Sequence, residues 1–269
     1  MRGLYKNMNG KYVFFDIDGT IYDYAGGVSP SAGEAIRLLK ANGHHPVLCT
    51  GRTKVMIFEE IMDLGFEGII AGAGTYIEWQ GKQLKFVELS HGDLVRVVTC
   101  LAENGFASYP EGHECFYYDK DYVENGVDEI YRIYQRHIPD HISPIDLNSE
   151  MHVSKVSASY TPQSNRDAVI EVFGDDFGWV DHNGVLFETI PKYASKGSAV
   201  KELMEYLRAD MEDTYAFGDS FNDLEMLQAV RYGVLMGNAK ESLKKLVPLH
   251  TEALRENGVY NALKRFGLI

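Results

Sequence analysis

The stretch Tyr12-Val13-Phe14-Phe15-Asp16-Ile17-Asp18-Gly19-Thr20 decides how the rest of the chain is read. Four apolar residues form a buried strand, and two carboxylates spaced i, i+2 follow before a glycine and a hydroxyl. Side chains two apart lie on the same side of an extended chain, so Asp16 and Asp18 are expected at one point. Open α/β sheets bind their ligands at the carboxyl ends of their strands. Two acids held there repel each other unless a cation or a proton intervenes. Such a pair can serve as a nucleophile and a proton carrier.

Outward from this strand the pattern is βαβ. The Gly26-Gly27 loop leads to Ser29-Pro30, an N-cap followed by proline at the first helical position, and the helix stops at Asn42-Gly43. Strand Pro46–Thr50 follows, then a helix carrying Val55, Ile57, Phe58, Ile61, Met62 and Leu64, then strand Gly68–Ala71. Strands alternating with helices indicate a parallel sheet.

From about Tyr76 to Thr189 the strands come instead in adjacent pairs. Tyr76–Trp79 pairs with Leu84–Glu88 across Gln80-Gly81-Lys82, and Phe177–Asp181 with Val185–Thr189 across His182-Asn183-Gly184. Asn-Gly between apolar runs is a hairpin signal. Helices are expected near Leu94–Asn104, Val127–Gln135 and Arg166–Phe173. The βαβ rhythm then returns with helix Ser195–Leu207, strand Thr214–Gly218, helix Phe221–Val230 and strand Tyr232–Met236. The expected fold class is α/β: a doubly wound, Rossmann-like parallel-sheet core (residues 1–78 and 187–269) with an inserted α+β cap domain (79–186).

The bulk numbers narrow the partners. The chain has 269 residues, 45% of them apolar, and 26 basic against 39 acidic residues give a net charge of -13. That balance argues against nucleic acid or anionic membrane as the main partner. No apolar run approaches the roughly 18 residues of a membrane helix, and Met1–Lys6 lacks the apolar stretch of a signal peptide. Cys49, Cys100 and Cys115 show no CxxC spacing and read as free thiols in a reducing cytoplasm. Nine histidines without ligand spacing give no zinc site.

Three further patches fall on the same sheet edge as Asp16. Thr50-Gly51-Arg52 ends the second strand, either as an ordinary exit or with the Thr50 hydroxyl and nearby amides on a phosphate oxygen. Lys196 opens a helix, where the dipole disfavours a cation by about 0.3–1 kcal/mol unless an anion is bound. Gly218-Asp219-Ser220-Phe221-Asn222-Asp223 ends one strand and starts a helix. Ser220 and Asp223 fit a capping box, whereas Asp219 does no capping that Ser220 cannot do. Four aspartates would repel an anionic substrate, and oxygen ligation with few carboxylates suits Mg²⁺.

With these residues laid out, the chain resembles the haloacid dehalogenase superfamily of phosphohydrolases, in its Cof-type branch with a large α/β cap. Asp16–Thr20 is similar to its first motif, Thr50–Arg52 to its second, Lys196 to its third and Gly218–Asp223 to its fourth. Met236-Gly237-Asn238-Ala239 and Glu256-Asn257-Gly258-Val259 are similar to the branch's closing segments. Ala71-Gly72-Ala73 departs from the branch's Asn-Gly-Ala. The resemblance implies that Asp16 is the nucleophile, giving an aspartyl-phosphate, and that Asp18 is the acid and base. It implies phosphate binding by Gly19, Thr50, Gly51, Lys196 and Asn222. It places Mg²⁺ on Asp16, the Asp18 main-chain carbonyl and Asp219, with Asp223 on the ion or its waters.

The implied function is hydrolysis of a small phosphorylated metabolite by a monomer or weak homodimer. A sugar phosphate leads, with pyridoxal phosphate or flavin mononucleotide also open. A sugar phosphomutase and a non-catalytic sugar-phosphate sensor are the rival readings. A mutase would need clustered basic residues in the cap, and Arg96, Arg132, Arg136, Lys155 and Arg166 show no clustering in sequence. In the cap, Glu111–Tyr118 reads either as a pocket wall or as a half-buried strand with Phe116 and Tyr118 inward. His152 and Lys155 are equally ambiguous.

Overall fold

The computed structural model describes residues 10–125, 128–173, 177–182 and 184–269. Met1–Lys6, Val127 and Asn183, on which the leader, helix and turn readings touched, lie outside them. An eight-stranded sheet forms the core, in the order Leu249–His250, Tyr232–Leu235, Thr214–Gly218, Tyr12–Phe15, His45–Cys49, Gly68–Ala71, Tyr76–Trp79, Lys82–Phe86. The first six are parallel and the last two antiparallel.

Strand Tyr12–Phe15 is buried throughout because the sheet is covered on both faces. Val13 and Phe15 enter one core with Ala35, Ile36 and Leu263, on helices Pro30–Ala41 and Gly258–Arg265. Tyr12 and Phe14 enter the other with Val200, Leu203 and Met226, on helices Lys196–Leu207 and Leu224–Ala229. Its neighbours, Thr214–Gly218 and His45–Cys49, belong to the two halves of the chain, so the order reverses at Tyr12–Phe15. That switch point is where a doubly wound sheet opens a ligand crevice.

A second, six-stranded sheet runs Ile142–Pro144, Phe116–Tyr118, Ala107–Glu111, Lys155–Ser159, Leu186–Pro191, Phe177–His182. One of its faces, with Val156, Ala158 and Phe187, packs into a third core with Leu94, Val97 and Phe173 from helices His91–Glu103 and Arg166–Phe173. The two sheets reach past the expected boundaries at 79 and 186. Lys82–Phe86 stays in the core sheet, because Tyr76–Trp79 covers the edge of Gly68–Ala71 and its partner follows. Leu186–Pro191 is still a strand of the second sheet.

The hairpin closes over Gln80-Gly81, both at positive φ, so its second strand is Lys82–Phe86 rather than Leu84–Glu88. The helix expected over Val55–Leu64 is broken into a 3-10 turn, Lys54–Met56, and one α-turn, Glu59–Met62. The reason is burial. Met56, Ile57 and Phe58 are consecutive and all buried, which one helix face cannot accommodate. The helix expected over Phe221–Val230 starts as a 3-10 turn, Phe221–Asp223, before Leu224–Ala229. No helix among the described residues is long and apolar enough to cross a membrane.

Candidate active site

Parallel register assembles the site. Phe15 lies opposite Phe217 on one side and Leu48 on the other. The strand ends carrying Asp16, Asp219 and Thr50 therefore finish side by side. The Asp16 N–H still donates to Phe217 O (3.0 Å) and the Thr50 N–H to Ile70 O (2.9 Å), so both residues are held by the sheet. Gly19 turns the chain back at φ +79°, and a Cβ there would collide with the Asp219 carboxylate. Its N–H is engaged by Tyr22 O (3.0 Å). Its carbonyl accepts from Asn238 Nδ2 (2.9 Å), which also reaches Asp219 Oδ2 (3.1 Å).

Lys196 lies at the first turn of a helix whose N-cap, Ser195, exchanges hydrogen bonds with Ser198. The side chain is buried between two acids, with Nζ 2.7 Å from Asp16 Oδ1 and 2.6 Å from Asp223 Oδ1. Burial opposes its charge, but Asp16 and Asp223 outweigh burial and hold its pKa above the ordinary lysine value. The helix dipole is thus countered by protein carboxylates. Asp223 Oδ2 accepts from the main-chain N–H groups of Asp219 and Ser220 (3.0 Å each). Asp223 therefore both caps the turn and pairs with Lys196.

Asp18 faces elsewhere. Its side chain is 41% exposed and is gripped by Arg52, Nη2 to Oδ1 at 2.6 Å and Nε to Oδ2 at 2.9 Å. The guanidinium lies over the Phe58 ring (4.4 Å) and near the rings of Tyr22 and Tyr24. His137 stacks on Phe58 at 4.0 Å and Tyr134 lies tilted against it at 6.1 Å, both from helix Glu129–His137 of the second lobe. Asp16 and Asp18 thus each have their own cation.

The acids next to Asp16 have the character of a cation site. Carboxylate oxygens of Asp16, Asp219 and Asp223 lie within 4.8 Å of one another. Asp219 Oδ1 is buried and has no hydrogen-bond partner among the described residues. Burial, then Asp223, pushes the Asp219 carboxyl up to about 7. Burial, then Asp223, also raises Asp16 well above the carboxylate range, against the pull of Lys196. One lysine is too little positive charge for two buried aspartates and a half-buried third. A buried oxygen without a partner and an all-oxygen donor set fit a hard divalent ion. The Asp18 side chain stands outside this group.

A cavity of about 310 Å³ opens beside Asp16 and Asp18. Thr50, Gly51 and Asn222 line its core side, whereas Gly19, Lys196, Asp219 and Asp223 lie off it. Asn222 Nδ2 faces Gly51, 3.6 Å from where its Cβ would stand. The Thr50 hydroxyl accepts from the Arg52 N–H (3.1 Å).

The far wall comes from the second sheet. Tyr109, Glu111, Lys155, Ser157, Leu186 and Glu188 line it, so Glu111 and Phe116 are both buried pocket-wall residues. His152, the other ambiguous position, is exposed and pairs with Glu88. Ser157 and Glu188 carry no site reading in the sequence; Glu111 falls in the stretch read as a possible pocket wall, and Arg52 and Asn238 in matched segments that give them no role of their own. For the strand residues a signal existed: polar and apolar residues alternate in Lys155-Val156-Ser157-Ala158-Ser159.

The chain matches the model of the haloacid dehalogenase-like hydrolases over residues 13–263. A Bacillus subtilis (strain 168) protein named "Putative phosphatase YkrA" is 27% identical over 290 residues, covering 97% of this chain and all of that one. A solved structure from Geobacillus kaustophilus HTA426 superposes with a TM-score of 0.81 at 27% identity, over 97% of this chain and all of that one. A structure described as the HAD subclass IIB sugar phosphatase BT4131 has the same fold, with a TM-score of 0.82 at 22% identity over 96% of this chain and all of that one. With a family match spanning nearly the whole chain, the protein belongs to the haloacid dehalogenase-like hydrolases.

Proposed function

We propose that the protein is a Mg²⁺-dependent phosphatase that releases inorganic phosphate from a small phosphorylated metabolite, a sugar phosphate, through phosphoryl transfer to Asp16. The observation that carries this reading is the buried group Asp16–Lys196–Asp223 with Asp219 beside it, next to a cavity large enough for a small molecule. Asp16 and Asp219 would hold the ion with the Asp18 main-chain carbonyl, and Asp223, committed to Lys196 and two amides, would bind its waters. The ion's charge would let an anionic phosphoryl group approach these acids and would draw electron density from its oxygens.

Asp16 attacks phosphorus as the ester P–O bond breaks, and Asp18 gives its proton to the departing oxygen. Water then cleaves the aspartyl-phosphate, with Asp18 taking the water's proton. Arg52 holds the Asp18 carboxylate through both oxygens. The acid half needs the carboxylate turned from Arg52 towards the leaving oxygen. Thr50, Gly51 and Asn222 offer donors to the phosphoryl oxygens, Gly19 holds the turn, and Lys196 balances charge on Asp16. The second lobe, from helix His91–Glu103 to strand Leu186–Pro191, acts as the cap that shuts the cavity to water.

The test is phosphate release from a panel of phosphorylated metabolites, titrated with Mg²⁺ and then EDTA. Release that rises with Mg²⁺ and stops with EDTA supports the reading. Conversion to an isomer without free phosphate would favour a mutase, and binding without turnover a sensor.

A further inference from the structure

The cap wall holds a second charged cluster that phosphoryl transfer does not use. Lys155 is 1% exposed, with Nζ 2.7 Å from Glu188 Oε1 and 3.3 Å from Glu111 Oε2. Ser157 Oγ donates to Glu111 Oε1. Strand register puts the four residues on one face: Lys155 is opposite Glu111, and Ser157 opposite Glu188. The other face of the same strands carries Val156, Ala158 and Phe187 into the cap's own core.

A purely structural role explains this cluster poorly. The apolar face already supplies the packing, and a buried ion group generally stabilises less than apolar residues of similar volume. Glu111 Oε2 accepts no well-directed hydrogen bond among the described residues and meets Lys155 at ion-pair distance only. Burial pushes the Glu111 carboxyl up to about 7 against the pull of Lys155. All four residues line the cavity that reaches Asp16.

The charge count selects the ligand. One lysine against two carboxylates leaves no positive charge for a second phosphate, yet provides acceptors, an ammonium and a hydroxyl at close quarters. Vicinal hydroxyls need donors and acceptors interleaved in this way. Phe116, Ile130, Ile133 and Leu186 add an apolar wall to the same cavity. Its volume is at the small end for ligand sites, roughly 300–1,000 Å³. We infer that Glu111, Lys155, Ser157 and Glu188 form a hydroxyl-binding roof that selects an uncharged, polyhydroxylated leaving group and rejects one bearing a second phosphate. This rests on the phosphatase reading above and assigns its specificity.

The test compares hexitol 6-phosphate with phenyl phosphate, which has no hydroxyls, using the full chain with Mg²⁺. Glu188→Gln and Lys155→Met should each lower kcat/KM for hexitol 6-phosphate about 10-fold or more. Phenyl phosphate turnover should change less than about twofold, which also reports that the variants fold. Equal losses on both substrates, or no loss on either, would overturn the roof. So would a wild-type enzyme that prefers a hexitol bisphosphate to the monophosphate. If the wild type hydrolyses neither ester, the phosphatase reading fails, and calorimetric binding of hexitol 6-phosphate still judges the roof. Binding about tenfold weaker in the variants upholds it, and equal binding refutes it.

Discussion

Two buried lysines sit in opposite lobes, each between two carboxylates: Lys155 lines the cavity, Lys196 lies off it, and their surroundings give them different work. Lys196 bridges Asp16 and Asp223 where strands end and helices begin. Asp219 adds a third acid there, so the core cluster carries excess negative charge, which on our proposal a divalent ion would balance. Lys155 bridges Glu111 and Glu188 on strands of one sheet, with Ser157 among them. Short aspartates at strand ends, one of them held by two main-chain amides, give a rigid site for chemistry. Longer glutamates on a sheet face give a surface whose donors and acceptors can match hydroxyls.

The largest expected effect breaks the comparison at its chemical end. Asp16→Asn keeps the shape of the core cluster but removes the nucleophile, and phosphate release should fall at least about 10³-fold on every substrate. Circular dichroism should show an unchanged fold. A variant retaining substantial turnover would mean that another group attacks phosphorus. Nothing at the roof should match this loss, because Glu188→Gln leaves the phosphoryl end intact.

That asymmetry also explains what was legible in the sequence. The core acids occupy short contiguous stretches, Asp16–Thr20 and Gly218–Asp223, because parallel strands all deliver ligands at their carboxyl ends. The alternating pattern of strands and helices then sufficed to expect both stretches, Thr50 and Lys196 on one edge; the registers of Phe15 with Phe217 and Leu48 bring those strand ends together, and Lys196 reaches Asp16. The roof is spread over Glu111, Lys155 and Glu188, which meet only through antiparallel registers joining strands up to 77 positions apart along the chain (188 − 111). Arg52 shows a third case. Its grip on Asp18 needs Phe58 beneath the guanidinium, and Phe58 takes that place because the expected helix breaks. No periodicity announces such a break.

The second effect separates the lysines by what can replace them. Lys196→Met and Lys155→Met each strand two buried carboxylates, a change that costs about 3–5 kcal/mol. Added Mg²⁺ should recover much of the thermal stability of Lys196→Met, since Asp16, Asp219 and Asp223 can close around the ion. Lys155→Met should gain no more than the wild type, having no such acid trio. Equal rescue in thermal melts would dissolve the distinction between an ion site and a hydroxyl site.

Arg52→Lys gives a smaller change, at the contact between lobes. Lysine keeps the charge but cannot grip both Asp18 oxygens or lie flat on Phe58. The expected loss is about 10–100-fold in kcat, or roughly 1.4–2.8 kcal/mol, with little change in KM. A rise in KM alone would assign Arg52 to substrate binding and leave Asp18 positioned by other groups.

The smallest effect is in the pH dependence of stability, and its sign distinguishes ion-free from ion-bound protein. The folded Asp219 carboxyl titrates at about 7 against an ordinary 3.8, so without metal its proton is bound more tightly in the folded state than in the unfolded chain. The stability this provides is fully present below about pH 4 and is lost as pH rises through 7. In EDTA the Tm should therefore fall between pH 5 and 8, by about 2–4 °C for each kcal/mol lost. Mg²⁺ replaces the proton, so it should raise Tm more at pH 8 than at pH 5. Glu111, also raised to about 7, contributes to the fall in EDTA but should not respond to Mg²⁺. Asp219→Asn separates them: it should abolish the Mg²⁺-dependent part and leave the shares of Asp16 and Glu111, both also raised, in the slope. A Mg²⁺ response that survived Asp219→Asn would put the ion elsewhere than beside Asp16.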